Sequence, residues 1–239
     1  MPSYLPSTKE SVLSDPSAMR IRGVVFDMDG TLTTPINEYL QQMRRDINVP
    51  EGMDTLGYVD TCLEGEAREQ AHRRILEIET AAMASMELSP GLIDLLRFLQ
   101  DNGIRTGVIT RNNRMAVDHF INNVVGRQLQ EHKGLFSFDP ILDRSFRPIK
   151  PSPDGLLHIS QQWGISPQQL MMVGDHGDDL LCGIRAGSIA CLLRYQDNRR
   201  FEGLSHLVVD RIDELIQHLS SGFRPSELTD GKAEKQAAV

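Results

Sequence analysis

Residues 24–33 read VVFDMDGTLT: an apolar, partly β-branched run that breaks into an acidic turn at Asp27 and Asp29. Together with Gly23 the run gives GVVF, the composition of a short strand buried on both faces, so the two carboxylates stand at its C-terminal end. Gly30 follows them and lets the backbone turn tightly. The same grammar returns at Leu170–Gly174, where LMMVG runs into GDHGDD and places Asp175, Asp178 and Asp179 beyond a second strand. A third strand over residues 105–110, containing TGVIT, ends at Thr110.

Helical patterns fill the spaces between these strands. After Ser89-Pro90, residues 91–102 carry Leu92, Leu95, Leu96 and Leu99 on one face and stop at Gly103. Further helices are predicted over residues 114–125, 153–163, 178–186 and 212–219, with strands at 141–142, 189–193 and 207–209. Strand and helix alternate, which predicts an α/β fold: a Rossmann-like, doubly wound parallel sheet with helices on both faces. Ligands of such sheets bind beyond the carboxyl ends of the strands, where both acidic turns and Thr110 fall.

The stretch from Pro35 to Leu88 breaks the alternation, being helical without strands and clearest between residues 64 and 86. The expected organisation is therefore a core of residues 21–32 and 89–221, interrupted by a small helical insert at 33–88. A Ser/Pro-rich leader (1–20) and a polar tail (222–239), both without apolar periodicity, are expected to be mobile. There is no internal repeat of about 20 to 50 residues.

The 239 residues suffice for one core and a small accessory piece, and 40% hydrophobic with 24% charged residues is an ordinary soluble balance. A formal charge of -8, with no basic run, argues against nucleic acid as a partner. Cys62, Cys182 and Cys191 form no CxxC pair, so neither a disulfide framework nor a zinc site is supported. No apolar run approaches the roughly 20 residues that cross a bilayer, so no membrane partner is expected. The opening residues lack a secretory pattern, and the cytoplasm is the expected location; organelle targeting is the alternative, against which Glu10 and Asp15 count. Oligomeric state is left open.

Acids gathered at two strand ends repel one another unless a hard cation with oxygen ligands neutralises them, and Mg²⁺ suits few carboxylates, several waters and a phosphate. Taken singly, each Asp has another reading as a helix cap or turn former. Thr110 also reads as a β-branched strand residue, and Arg111 as an exposed loop cation. Lys150 stands out because the chain uses arginine elsewhere: between Ile21 and Ser221 the lysines are Lys133 and Lys150.

In order, VVFDMDGTLT, VIT, the lysine of RPIKPSPDG and VGDHGDD resemble the four motifs of the haloacid dehalogenase-like superfamily of hydrolases, from Val24 to Asp179. The resemblance implies that Asp27 is a nucleophile forming an aspartyl-phosphate and that Asp29 is the general acid and then the base. It implies Mg²⁺ held by the Asp27 carboxylate, the Asp29 main-chain carbonyl and Asp175, with Asp179 behind them and Asp178 as the register alternative. Thr110, with Arg111 and Gly30 beside it, would bind the phosphoryl group, and Lys150 would offset its charge. His176 stands where the family often has Ser or Thr.

Asp29 argues for phosphoryl transfer over dehalogenation, and the absence of lysine from residues 33–88 argues against a Schiff-base phosphonatase. DMDGT, where P-type ATPases carry DKTGT, sets those apart. The insert resembles the family's helical cap, which closes over the site and selects the substrate. Arg44, Arg45, Arg68, Arg73 and Arg74 read either as receivers of a second substrate anion or as one solvated, mixed-charge face. A phosphatase acting on a small phosphorylated metabolite, such as phosphoglycolate or a sugar phosphate, is implied. A β-phosphoglucomutase-like phosphomutase and a non-catalytic binding protein are the alternatives.

Overall fold

The computed structural model describes residues 3–14, 19–126 and 137–228. Six strands, β1 (Gly23–Phe26), β2 (Arg105–Ile109), β3 (Ile141–Leu142), β4 (Leu170–Gly174), β5 (Ile189–Leu193) and β6 (Leu207–Val209), pair in parallel in the order β3-β2-β1-β4-β5-β6. The chain thus fills one half of the sheet outward from β1, then returns to fill the other, and the switch point lies between β1 and β4. Phe26 is level with Val108 on β2 and Val173 on β4, which brings Asp27, Thr110 and Asp175 to one edge.

Alternation along the strands sorts the core into two layers. Val24, Phe26, Val108, Met171 and Val173 face one apolar cluster with α5 (Leu92–Asp101), α6 (Arg114–His119) and α9 (Glu214–Ser221). Val25, Ile109, Leu170 and Met172 face the other, with α7 (Asp154–Trp163) and α8 (Gly177–Ala186). Helix boundaries fall within two residues of expectation, except that the helix predicted over 114–125 stays regular only to His119 and widens into a looser turn through Val125.

The insert comprises α2 (Asn37–Ile47), α3 (Thr55–Cys62) and α4 (Gly65–Ala84), packed around Met43, Val59, Ala71, Ile75 and Ile78. This small core is separate from the two layers of the sheet, and the chain leaves and returns where Thr33 bridges Leu88. Among the described residues no helix is long and apolar enough to cross a membrane.

In their described parts the leader and tail pack against the core. Tyr4 is buried, stacks on Phe223 with ring centroids 5.1 Å apart, and donates its hydroxyl to the Gln168 carbonyl at 2.6 Å. Ser7 N–H donates to the Leu219 carbonyl, Ser226 N–H to the His206 carbonyl, and α1 (Lys9–Ser14) follows in the leader. One aromatic pair and a few backbone bonds suffice to dock such a segment, and neither requires apolar periodicity. The expectations for residues 1–2, 15–18 and 229–239, and Lys133, lie outside the described residues.

Candidate active site

Just beyond the carboxyl ends of β1 and β4, one carboxylate oxygen from each of Asp27, Asp175 and Asp179 lies within 4.8 Å of the others. Lys150, buried on the loop after β3, donates to Asp27 Oδ1 at 2.5 Å and to Asp179 Oδ1 at 2.6 Å. Burial pushes the Asp27 carboxyl up to about 7; the Asp179 and Asp29 charges add to the rise and Lys150 opposes it. Burial, reinforced by Asp179 and Asp27, likewise raises Asp175 well above the usual carboxylate range. Burial works against the charge on Lys150, but the Asp179 and Asp27 carboxylates outweigh it and hold its pKa above the ordinary value. One ammonium pairs with two of the three carboxylates and leaves Asp175 without a cation among these contacts, so this oxygen-rich cluster fits a hard divalent cation.

The backbone leaves no room for side chains at two points. Gly30 has φ +72°, and a Cβ there would stand 2.3 Å from Asp175 Oδ2; a Cβ on Gly174 would stand 2.3 Å from Asp179. Asp175 is held from behind by Asn198, whose Nδ2 donates to the Asp175 carbonyl at 2.8 Å. Of the paired acids in GDHGDD, it is Asp179 that faces the cluster, while Asp178 turns toward Arg111. His176 occupies the N-cap of α8: its Nδ1 accepts from Asp178 N–H, and its own N–H donates to Asp179 Oδ2 at 3.1 Å. An imidazole nitrogen thus does what a Ser or Thr oxygen would do at that position.

Asn112 is a site residue that the sequence reading missed. Its Nδ2 donates to Asp29 Oδ2 at 2.7 Å and to Thr110 Oγ1 at 3.2 Å, and its backbone N–H donates to the same Oγ1 at 3.1 Å. With both lone pairs of Oγ1 occupied, the Thr110 hydroxyl is left to donate its proton elsewhere. Burial raises the Asp29 carboxyl, opposed by the Asn112 hydrogen bond, and the charge of Glu79 is among the forces that add to the rise. The available signal was an amide two residues past a strand-end Thr.

At the rim, the insert closes onto the core. Arg111, read from the sequence either as a phosphate ligand or as a loop cation, spans Asp54 of the insert and Asp178, the latter at 3.2 Å. Glu79 of α4 accepts from Asn113 Nδ2 at 2.7 Å and from Arg144, and Asn37 Nδ2 donates to Asp197 at 2.6 Å. Arg44 donates to the Met53 and Pro50 carbonyls, Arg68 to the Leu63 carbonyl, and Arg74 pairs with Asp46 and Glu77.

Comparison with known proteins agrees with this geometry. A haloacid dehalogenase-like hydrolase protein of Arabidopsis thaliana is 38% identical over 221 residues, covering 85% of this chain and 86% of that protein. An uncharacterized hydrolase of Saccharomyces cerevisiae is 37% identical over 204 residues, 84% and 88% of the two chains. Among solved structures, a predicted phosphoglycolate phosphatase from Haemophilus somnus superposes with a TM-score of 0.63 at 19% identity, covering 82% of this chain and 97% of that one, a likeness of fold. The family profile for haloacid dehalogenase-like hydrolase matches residues 21–187, the span holding both acidic turns, Thr110 and Lys150, and the chain belongs to that family.

Proposed function

We propose that this hydrolase cleaves a small phosphate monoester, with Mg²⁺ as cofactor and Asp27 as nucleophile. The observation that carries the reading is the meeting of Asp27, Asp175 and Asp179 around Lys150. Mg²⁺ would be held by the carboxylates of Asp27 and Asp175 and the main-chain carbonyl of Asp29, with Asp179 behind them, and supplies a Lewis acid that offsets charge on the phosphoryl oxygens.

In the first half-reaction a carboxylate oxygen of Asp27 adds to phosphorus as the bond from phosphorus to the leaving oxygen breaks, and Asp29 gives that oxygen its proton. Burial of Asp29, which favours the protonated form, supports this role. Thr110 Oγ1 donates to a phosphoryl oxygen, and Lys150 holds Asp27 in place while balancing its charge. In the second half-reaction Asp29, now a carboxylate, takes a proton from a water whose oxygen adds to phosphorus. The acyl phosphate bond breaks, inorganic phosphate leaves and Asp27 is restored. The helical insert covers the site and keeps bulk water out while the ester is cleaved.

Hydrolysis of p-nitrophenyl phosphate tests the reading. It should require Mg²⁺, stop when EDTA is added, and fall by about ten-thousand-fold or more in Asp27→Asn, as when a nucleophile is removed elsewhere. Turnover that survives both treatments rejects the proposal.

A further inference from the structure

We infer that the ester accepted by this site has a neutral, hydroxyl-bearing leaving group, a polyol or sugar, and that leaving groups with a second carboxylate or phosphate are disfavoured. The inference rests on the phosphatase reading above and concerns the side of the site that faces the leaving group.

A second anion needs a free cation at the rim to receive it. Among the described residues two guanidinium groups belong to this rim: that of Arg111, which directly follows Thr110, and that of Arg144, whose backbone N–H donates to the Asn112 carbonyl at 2.8 Å. Each is already met by a carboxylate of the insert, Asp54 on Arg111 and Glu79 on Arg144. Asp178 takes the other side of Arg111 at 3.2 Å, and Glu79 also accepts from Asn113 at 2.7 Å. Among the described residues, three carboxylates thus face these two guanidiniums, with the His176 imidazole 3.6 Å from Asp178, so both guanidiniums are already paired before any substrate arrives.

Burial decides how much that matters. Glu79 has 13% and Arg144 24% of its side-chain surface exposed, so water screens this pair only in part. An incoming carboxylate either displaces Glu79 or Asp54 from its partner or shares the guanidinium with it, and in both cases it stands beside a like charge. A hydroxyl faces no such cost, because an ionised carboxylate has about four acceptor positions and can take an O–H donor while keeping its guanidinium. Glu79 accepts from Asn113, the chain neighbour of Asn112, whose Nδ2 donates to Asp29 at 2.7 Å, so this wall stands on the Asp29 side of the site, where the leaving group departs.

The test uses the full chain with Mg²⁺ and compares kcat/KM for p-nitrophenyl phosphate, glycerol 3-phosphate, ribose 5-phosphate, 2-phosphoglycolate and fructose 1,6-bisphosphate. At least one neutral polyol or sugar ester should exceed phosphoglycolate and the bisphosphate by about tenfold or more, a difference of about 1.4 kcal/mol. Asp54→Asn with Glu79→Gln, which keeps the hydrogen-bonding shapes and removes the charges, should narrow that gap by raising kcat/KM for phosphoglycolate. Arg111→Ala should change all five esters by a similar factor. A preference for phosphoglycolate or the bisphosphate that Arg111→Ala abolishes selectively overturns the inference and leaves the phosphatase reading standing. So does cleavage of p-nitrophenyl phosphate with no polyol or sugar ester ahead of phosphoglycolate. Failure to cleave p-nitrophenyl phosphate removes both.

Discussion

At the scale of single residues, the site concentrates negative charge in a place with little water, and its titration should expose that. The folded protein keeps a proton on Asp27 up to about pH 7, whereas an ordinary Asp releases it near 3.8. Through that window the folded state binds more protons than the unfolded chain, so stability without metal should fall as pH rises. A bound divalent cation favours the carboxylate forms, so the gain in melting temperature from Mg²⁺ over EDTA should grow from about pH 5 to about pH 7 and then level off. Thermal unfolding across that range is the measurement, and a gain that shrinks with pH contradicts the prediction. Asn112 offers a second handle. Its hydrogen bond favours ionised Asp29, so Asn112→Leu should raise that pKa further and move the alkaline limb of kcat/KM to higher pH, because the acid stays protonated longer. Loss of the two positioning bonds should also lower kcat/KM by about 10- to 100-fold, the range seen when groups behind a reacting centre are removed.

Among the elements, β1 governs the packing because it lies between β2 and β4 and is buried along its whole length. The indole of Trp163, at the end of α7, lies against glycines on two strands: a Cβ on Gly23 would meet it at 2.5 Å and one on Gly107 at 3.2 Å. Trp163 Nε1 donates to the Asp139 carbonyl at 2.8 Å, so the ring has little freedom to move aside. Gly23→Ala should therefore overpack this interface and cost about 1–3 kcal/mol, read as a lower urea midpoint. Gly23 lies at the opposite end of β1 from Asp27, so turnover per folded molecule should stay unchanged. A loss of activity without a loss of stability would contradict this account of the strand. Apolar pattern predicted α5, α7 and most strands closely, because the helices bury a repeating stripe and the central strands a continuous apolar run. It did not separate α2 from α3, since α3 contributes one fully buried residue, Val59, and carries no stripe to read.

For the whole molecule, the two edges of the sheet have different tasks. The carboxyl edge carries the acids and is covered by the insert. At the amino edge, Tyr4 bonds to Gln168, just before β4, and stacks on Phe223 near the other end of the chain. This clasp joins residues far apart in sequence and away from the chemistry. Tyr4→Ala should lower stability by about 3 kcal/mol, the lower end of the cost of truncating a buried aromatic, with kcat preserved. Equal stability of the variant and the parent would show that the segment contributes nothing to the fold.

What the sequence determined by itself was what local pattern can carry: the order of strands and helices, the doubly wound sheet that follows from it, and acids and Thr110 placed where strands end. Tertiary structure decided what depends on partners far along the chain. Lys150 reaches Asp27 across 123 positions, and Arg111 reaches Asp54 across 57. Asp178 and Asp179 were indistinguishable as neighbours in sequence, yet adjacent residues on a helix point about 100° apart, and only Asp179 turns inward. The same holds for Arg111, held at the rim by two carboxylates, and for Asn112 and Glu79, whose significance comes from the groups they meet across the fold.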